Sequence, residues 1–263
     1  MDMMKRYLLM SCAVAIAATA SAASFGASPS KLSADQIVEQ NIAARGGLKA
    51  WRAVDTLVLT GQMDAGGTKH ARLPFVMEMK RPHMSRLEIK FEGQAALQVY
   101  DGTQGWKLRP FLGRNEVEPF SPDEAKLAAD WAELDGPLVD YARKGTRIKL
   151  EGKEAVAGHD AYKLKLTFKD GVERHVWIDA KSFLDLKIDG EPHRLDGKMR
   201  HVAIYYHDYK TTDGLTMPRT LETVIDGGTS PRTMTIEQVT INRPLDDAQF
   251  SKHALTMAAA SDR

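Results

Sequence analysis

Catalysis needs reactive side chains held at fixed spacing, and this 263-residue sequence offers no such set. It contains no Gly-x-Ser-x-Gly nucleophile elbow, no phosphate-cradling glycine loop and no His-Glu-x-x-His zinc motif. The eight histidines are scattered. His201 and His207 share a strand parity, and His207 adjoins Asp208, so a metal site could in principle draw on them. On one strand, however, they lie far apart along its axis, and they read as exposed strand positions. Asp123-Glu124 sits at a helix start and Asp246-Asp247 beside a turn signal, which is capping chemistry rather than acid–base catalysis. The Asp-Gly pairs at 101, 170, 196 and 213 are turn formers first. The expectation is a protein that is not an enzyme and carries no cofactor and no metal.

What the sequence does hold is a set of adaptable apolar side chains. Phe75, Met77 and Met79 alternate with polar residues, and thioethers conform to irregular shapes. Two readings follow: plain packed core, or the lining of a site that accepts an apolar ligand. Both hold if part of the lining packs on helices and part meets ligand. The elements that would position these residues decide between them.

The central stretch from Phe120 to Gly145 is the first of those elements. Ser121, Pro122 and Glu124 make a capping box with proline at the first helical position. Leu127, Trp131 and Leu134 follow at helical spacing. Asp135-Gly136-Pro137 breaks this helix, and Pro137 opens a second short one carrying Leu138 and Tyr141 and ending at Gly145. Another helix starts at Ser33 with Gln36 as its box partner and carries Ile37, Val38, Asn41 and Ile42 up to Gly46-Gly47. Its stripe is narrow, so it is expected to pack outside the sheet, with Trp51 just beyond it as an anchor.

Period-two alternation fills the rest, as half-buried strands require. Leu57, Leu59 and Met63 fall on one parity before the turn Gly66-Gly67. Leu87, Ile89 and Phe91 alternate with charges, Leu97 and Val99 lead into Asp101-Gly102, and Trp106 and Leu108 begin the return. Beyond Gly145 come Ile148 and Leu150, Tyr162 to Phe168, a run containing Trp177, Leu184 to Ile188, and Val202 to Tyr206. Met234 and Ile236 have one parity but Val239 and Ile241 the other, which places a β-bulge near Glu237-Gln238. Ten to twelve strands are expected, each with one apolar face. A sheet so wide must curl. The fold class is therefore mainly β with helices (α+β): a curved antiparallel sheet forming an incomplete barrel, closed by the central helical pair. Two short helices cannot fill it, which leaves an apolar cleft. Its expected lining is Leu57, Leu59, Phe75, Met77, Met79, Leu87, Ile89, Trp106, Leu127 and Trp131.

The N-terminus gives an address. Lys5 and Arg6 precede the apolar run Tyr7 to Ala18, and Ala20-Ser21-Ala22 offers a cleavage site, so residues 1–22 read as a secretory signal peptide. The only cysteine, Cys12, lies inside it and is not read as a lipidation site. Residues 23–32 are a flexible spacer, 33–255 a single half-barrel domain, and 256–263 a frayed tail. The formal charge is +1, and removal of the leader takes two basic residues and one acidic residue, leaving zero. Nothing in that balance suggests nucleic acid.

Several local signals then recur in order. They are Gly46-Gly47 with Trp51, Tyr100-Asp101-Gly102 with Gly105-Trp106, Gly158 with Tyr162-Lys163-Leu164, Trp177-Ile178-Asp179, Asp208-Tyr209, and Gly214-Leu215 before Pro218. Together they resemble the outer-membrane lipoprotein-sorting family, periplasmic carriers of the LolA/LolB-like fold. The resemblance implies an incomplete antiparallel barrel closed by helices, a hydrophobic cavity for acyl chains, and no catalytic residue. It also implies acyl chains of lipoproteins or other lipids as ligands, with an inner-membrane donor and an outer-membrane acceptor as partners. A cell-envelope scaffold or sensor of the same fold is the alternative.

Overall fold

The structure, a computed structural model, describes residues 32–64, 71–110, 113–195, 197–228 and 230–261. The expected leader with Cys12, nearly all of the spacer, the Gly66-Gly67 turn and Asp196 lie outside these residues. The described residues belong to one compact unit that begins at Leu32.

Among the described residues four α-helices form: α1 (Ala34–Ala44), α2 (Leu48–Arg52), α3 (Pro122–Trp131) and α4 (Lys252–Ser261). Both expected capping boxes are made, Ser33 with Gln36 and Ser121 with Glu124. The first run of strands comprises β1 (Thr56–Asp64), β2 (Arg72–Lys80), β3 (Met84–Phe91), β4 (Gln94–Tyr100), β5 (Gly105–Arg109) and β6 (Arg114–Pro119). After α3 come β7 (Arg147–Val156), β8 (His159–Thr167), β9 (Glu173–Asp179), β10 (Asp185–Asp189) and β13 (Val202–His207). Last come β16 (Thr220–Ile225) and β17 (Arg232–Ile241). Two separate ribbons interrupt the series, β11 (His193–Leu195) with β12 (Lys198–Arg200), and β14 (Lys210–Thr212) with β15 (Leu215–Met217).

The main sheet has 13 strands in the order β6-β5-β4-β3-β2-β1-β17-β16-β13-β10-β9-β8-β7, and β6 does not pair with β7. It is a curved half-barrel of antiparallel strands. Its two free edges are neighbours in sequence, because the chain passes from β6 through α3 to β7. Pairing of β1 with β17 joins the two halves, and the register skips from Thr60↔Gln238 to Gly61↔Ile236. That skip is the bulge expected at Glu237-Gln238. Gly61 is required there: a Cβ would stand 1.9 Å from the Thr235 carbonyl oxygen.

Strand register assigns the faces. Leu57↔Met79, Leu59↔Met77↔Leu87, Phe75↔Ile89 and Met63↔Leu73 are rows on one side, here the inner face. On the other half, Leu164↔Val176 and Val176↔Ile188 lie on the same side. Contrary to expectation, α1 packs on this inner face. Ile37 and Val38, at 0% and 1% exposure, join Leu164, Leu166, Val176 and Ile178. The stripe is narrow because it only has to fit the trough of the half-barrel. Trp51 anchors α2 in the neighbouring cluster, as expected.

The second central helix does not form. Residues after Gly136 run through successive turns, and Asp140 takes φ +54, a left-handed conformation that ends any helix there. The segment packs all the same: Leu134 and Val139 enter the Trp51 cluster and Leu138 enters the α1 cluster. The C-terminus also departs from the expected frayed tail. α4 covers the outer face of β4–β6, with Leu255 buried against Leu97, Val99 and Leu108. Phe250 tucks beneath the sheet, at 0% exposure beside Val58.

Candidate functional site

Apolar burial on the inner face is graded along the strands. At one end Leu57, Met79, Leu59, Met77 and Phe75 are buried, packed with Trp51, Val54, Leu134 and Val139. Towards the other end Leu87, Ile89, Met63 and Leu73 are only half-buried. Among the described residues the trough is thus filled at its base and less covered towards the Met63↔Leu73 and Ile89 end of the strands.

Charges seal the base. Asp135, 2% exposed, accepts from Arg81 at 2.6 Å and from Lys144 at 2.7 Å, while its carbonyl accepts from Arg45 at 3.2 Å. Burial works to raise the Asp135 pKa, but hydrogen bonds from Lys144 and Arg81 outweigh it and hold the carboxyl below its ordinary range. Arg45 also lies over the Trp51 ring at 4.6 Å and hands its carbonyl to Thr216, fixing the β14–β15 ribbon. Gly46 fits closely there: a Cβ would come within 2.3 Å of the Gly214 carbonyl oxygen. Two signals far apart in sequence, Gly46-Gly47 and Gly214-Leu215, therefore meet in space. A recess of about 620 Å³ beside this network is lined by Arg81, Pro82, His83, Glu133 and Lys144. Its lining shares no residue with the expected cleft.

The gap between the two free edges is bridged by α3, and charge holds it there. Glu124 accepts from Lys107 at 2.5 Å and from Arg109 at 2.8 Å, both on β5 next to one edge. Asp130 accepts from Arg174 of β9 at 2.7 Å, two strands from the other edge. Arg174 also pairs with Glu191 and lies over the Phe168 ring. Despite an apolar stripe in its sequence, α3 has no buried residue. Desolvation would raise the Glu124 pKa, yet Lys107, the Ser121 backbone N–H and Arg109 bring it down to about 2. Glu124 thus serves two purposes, closing the capping box and latching the helix.

The ten residues expected to line the cleft divide clearly. Leu57, Leu59, Phe75, Met77 and Met79 form the filled base; Leu87 and Ile89 lie in the half-open part. Trp131, at the end of α3, packs half-buried against the same inner cluster. Leu127 is 46% exposed on α3. Trp106 does not belong to the inner face: it stands opposite Val99, under α4. The histidines read as exposed strand positions have acidic partners, His201 with Asp189 and His207 with Glu222. Among the described residues, no group of three or more metal-ligating side chains could hold an ion. Sequence patterns missed Arg45, Arg81, Asp135 and Lys144, since charges that meet through folding leave no periodic trace.

Comparison with known proteins places this architecture. A family model described only as an uncharacterized protein matches residues 140–257. No curated protein matches the sequence. Among solved structures, a LolA superfamily protein from Nitrosomonas europaea superposes with a TM-score of 0.58 at 15% identity, covering 85% of this chain and 100% of that one. A domain described as an outer membrane lipoprotein-sorting protein from Vibrio parahaemolyticus gives 0.56 at 14% identity, covering 84% and 97%. A DUF1329 family protein from Desulfovibrio piger gives 0.57 at 17% identity, covering 86% and 100%. The fold is LolA-like, as the order of the local sequence signals implied.

Proposed function

We propose that this LolA-like half-barrel is a non-enzymatic carrier of the cell envelope, seating acyl chains of lipoproteins or other amphiphilic lipids on its inner face. The observation that carries the reading is the mismatch at α3. The helix spans the open side of an apolar trough, yet buries no residue of its own and is held at both ends by ion pairs. Lifting it forfeits mainly the half-buried packing of Trp131 at its last position, and partly exposed ion pairs contribute roughly 0–1 kcal/mol each. An incoming acyl chain gains about 0.8 kcal/mol per methylene buried. A chain of ordinary length therefore outweighs the latch, and half-buried Leu87, Ile89 and Met63 are its first contacts.

Export by the expected leader would put the protein in the periplasm. Transfer from an inner-membrane donor to an outer-membrane acceptor is the role that the lipoprotein-sorting description of one structural relative suggests. Among the described residues no helix is long and apolar enough to cross a membrane. A second reading, an envelope scaffold or sensor, draws support from the filled base, where Trp51, Leu134 and Val139 already occupy the trough. Native mass spectrometry of protein purified from the periplasm, followed by lipid extraction, separates the two. The carrier reading expects a co-purifying acyl lipid that organic extraction removes; a mass equal to the bare chain after gentle isolation, with no uptake of added lipid, would leave the scaffold.

A further inference from the structure

One charged side chain lies among the apolar residues that run towards the trough. From Leu215 onward the chain alternates Leu215, Met217, Arg219 and Leu221, and the first three are buried, Arg219 to 8% exposure. Leu215 and Met217 belong to the inner apolar cluster, and Leu221 packs against it. The Arg219 backbone sits between β13 and β17: its N–H donates to the His207 carbonyl, and its carbonyl accepts from Ile236. Its Nη2 donates to Thr212 Oγ1 at 2.5 Å. Nε and Nη1 are shielded from solvent and have no partner among the described residues. Desolvation lowers the Arg219 pKa, and no carboxylate acts against it. Every other buried charge described above is paired, whereas this one is a guanidinium with two shielded, unpartnered donors in a segment whose apolar residues Leu215, Met217 and Leu221 belong to or pack against the inner cluster. Such a group is costly unless an anion meets it.

We propose that Arg219 is a headgroup anchor, taking the oxyanion, carboxylate or phosphate, of an amphiphile whose acyl chain lies on the inner face. The inference rests on the acyl-binding reading above and narrows its ligand. An acylated protein terminus is joined through amides, esters and thioethers and has no oxyanion to offer. A fatty acid or a phospholipid has one, and a guanidinium meets a planar carboxylate or a phosphate with two parallel N–H donors.

The test compares ligands that differ only in that charge. Oleic acid against methyl oleate, and 1-oleoyl lysophosphatidate against 1-oleoylglycerol, compete for a neutral naphthylamine probe bound to the full mature chain. The wild type is expected to prefer the charged member of at least one pair by about tenfold or more, as a charge-assisted hydrogen bond supports. The pair with the larger ratio identifies carboxylate or phosphate. Arg219→Met should abolish the preference and leave the neutral ligands unchanged, and Arg219→Lys should restore part of it. The ligand-free Arg219→Met protein should melt no lower than the wild type, since the substitution removes an unpaired buried cation. Equal affinities within both pairs, or a ratio that survives Arg219→Met, would overturn the anchor while the acyl-binding reading stands. Failure of all four ligands to bind the wild type would remove both.

Discussion

At the residue scale, similar apolar positions on one face have different energetic duties. Met77 is 3% exposed within the filled base, so Met77→Ala should cost about 2–5 kcal/mol of stability by leaving a cavity. Ile89 is half-buried two residues further along the paired strand. Ile89→Glu can keep its carboxylate wet in the empty protein but must desolvate it when a chain enters. Denaturant midpoints and fatty-acid affinities of the two variants should therefore diverge, with stability lost in the first and binding in the second. Equal loss of stability in both would mean the trough is packed along its whole length. The alternation that marked both residues carries no depth, and so the sequence could not separate them. Trp106 shows a second limit. Leu97, Val99 and Leu108 are apolar on the outer face because α4 covers it. The inner side of these strands carries Gln98, Lys107 and Arg109 instead, so alternation marks which residues share a side but not that the apolar side here is the outer one.

At the element scale, α3 is legible as a helix and misleading as a lid of apolar contacts. Its capping box fixed where it starts, while its function as a bridge depends on Lys107, Arg109 and Arg174, which strands far away supply. Glu124→Gln tests the bridge without removing the cap, because glutamine also completes a capping box. Amide exchange across residues 125–131 should accelerate and fatty-acid uptake should quicken, with at most about 1 kcal/mol of global stability lost. Unchanged exchange would show that Glu124 does not restrain the helix. The pH dependence has a definite sign. A carboxyl depressed to about 2 in the folded protein contributes stability that is complete above the ordinary range near 4.5 and is lost as pH falls towards 2. Acidification from pH 8 to 5 should therefore leave the Glu124 side of the latch closed, and uptake rates of Glu124→Gln and wild type should keep a constant ratio over that interval. High salt should narrow the difference between them, as the ion pairs are partly exposed.

At the scale of the whole molecule, the alternating runs, the bulge at Glu237 and the curl of an over-wide antiparallel sheet could be read from the chain. The position of α1 inside the trough could not, nor could the pairing of β1 with β17. Both depend on which edges meet when the sheet curves, a long-range choice that local periodicity does not encode. The proposed function then has a specific consequence: helices α1 and α2 fill the base, so on the carrier reading an acyl chain enters the half-open part of the trough on the side that α3 spans. Four tryptophans make this testable. Trp131 stands at the end of α3, half-buried against the inner cluster, Trp51 at the sealed base, and Trp106 on the outer face. Trp177 is buried in a different cluster, with Val156 and Ala161. The most direct measurement is contact quenching of tryptophan fluorescence by a fatty acid brominated along its chain, in the wild type, Trp131→Phe and Trp106→Phe. Saturable quenching that disappears in Trp131→Phe and persists in Trp106→Phe is the expected result. Quenching that survives Trp131→Phe, or none in the wild type, would contradict entry of an acyl chain under α3.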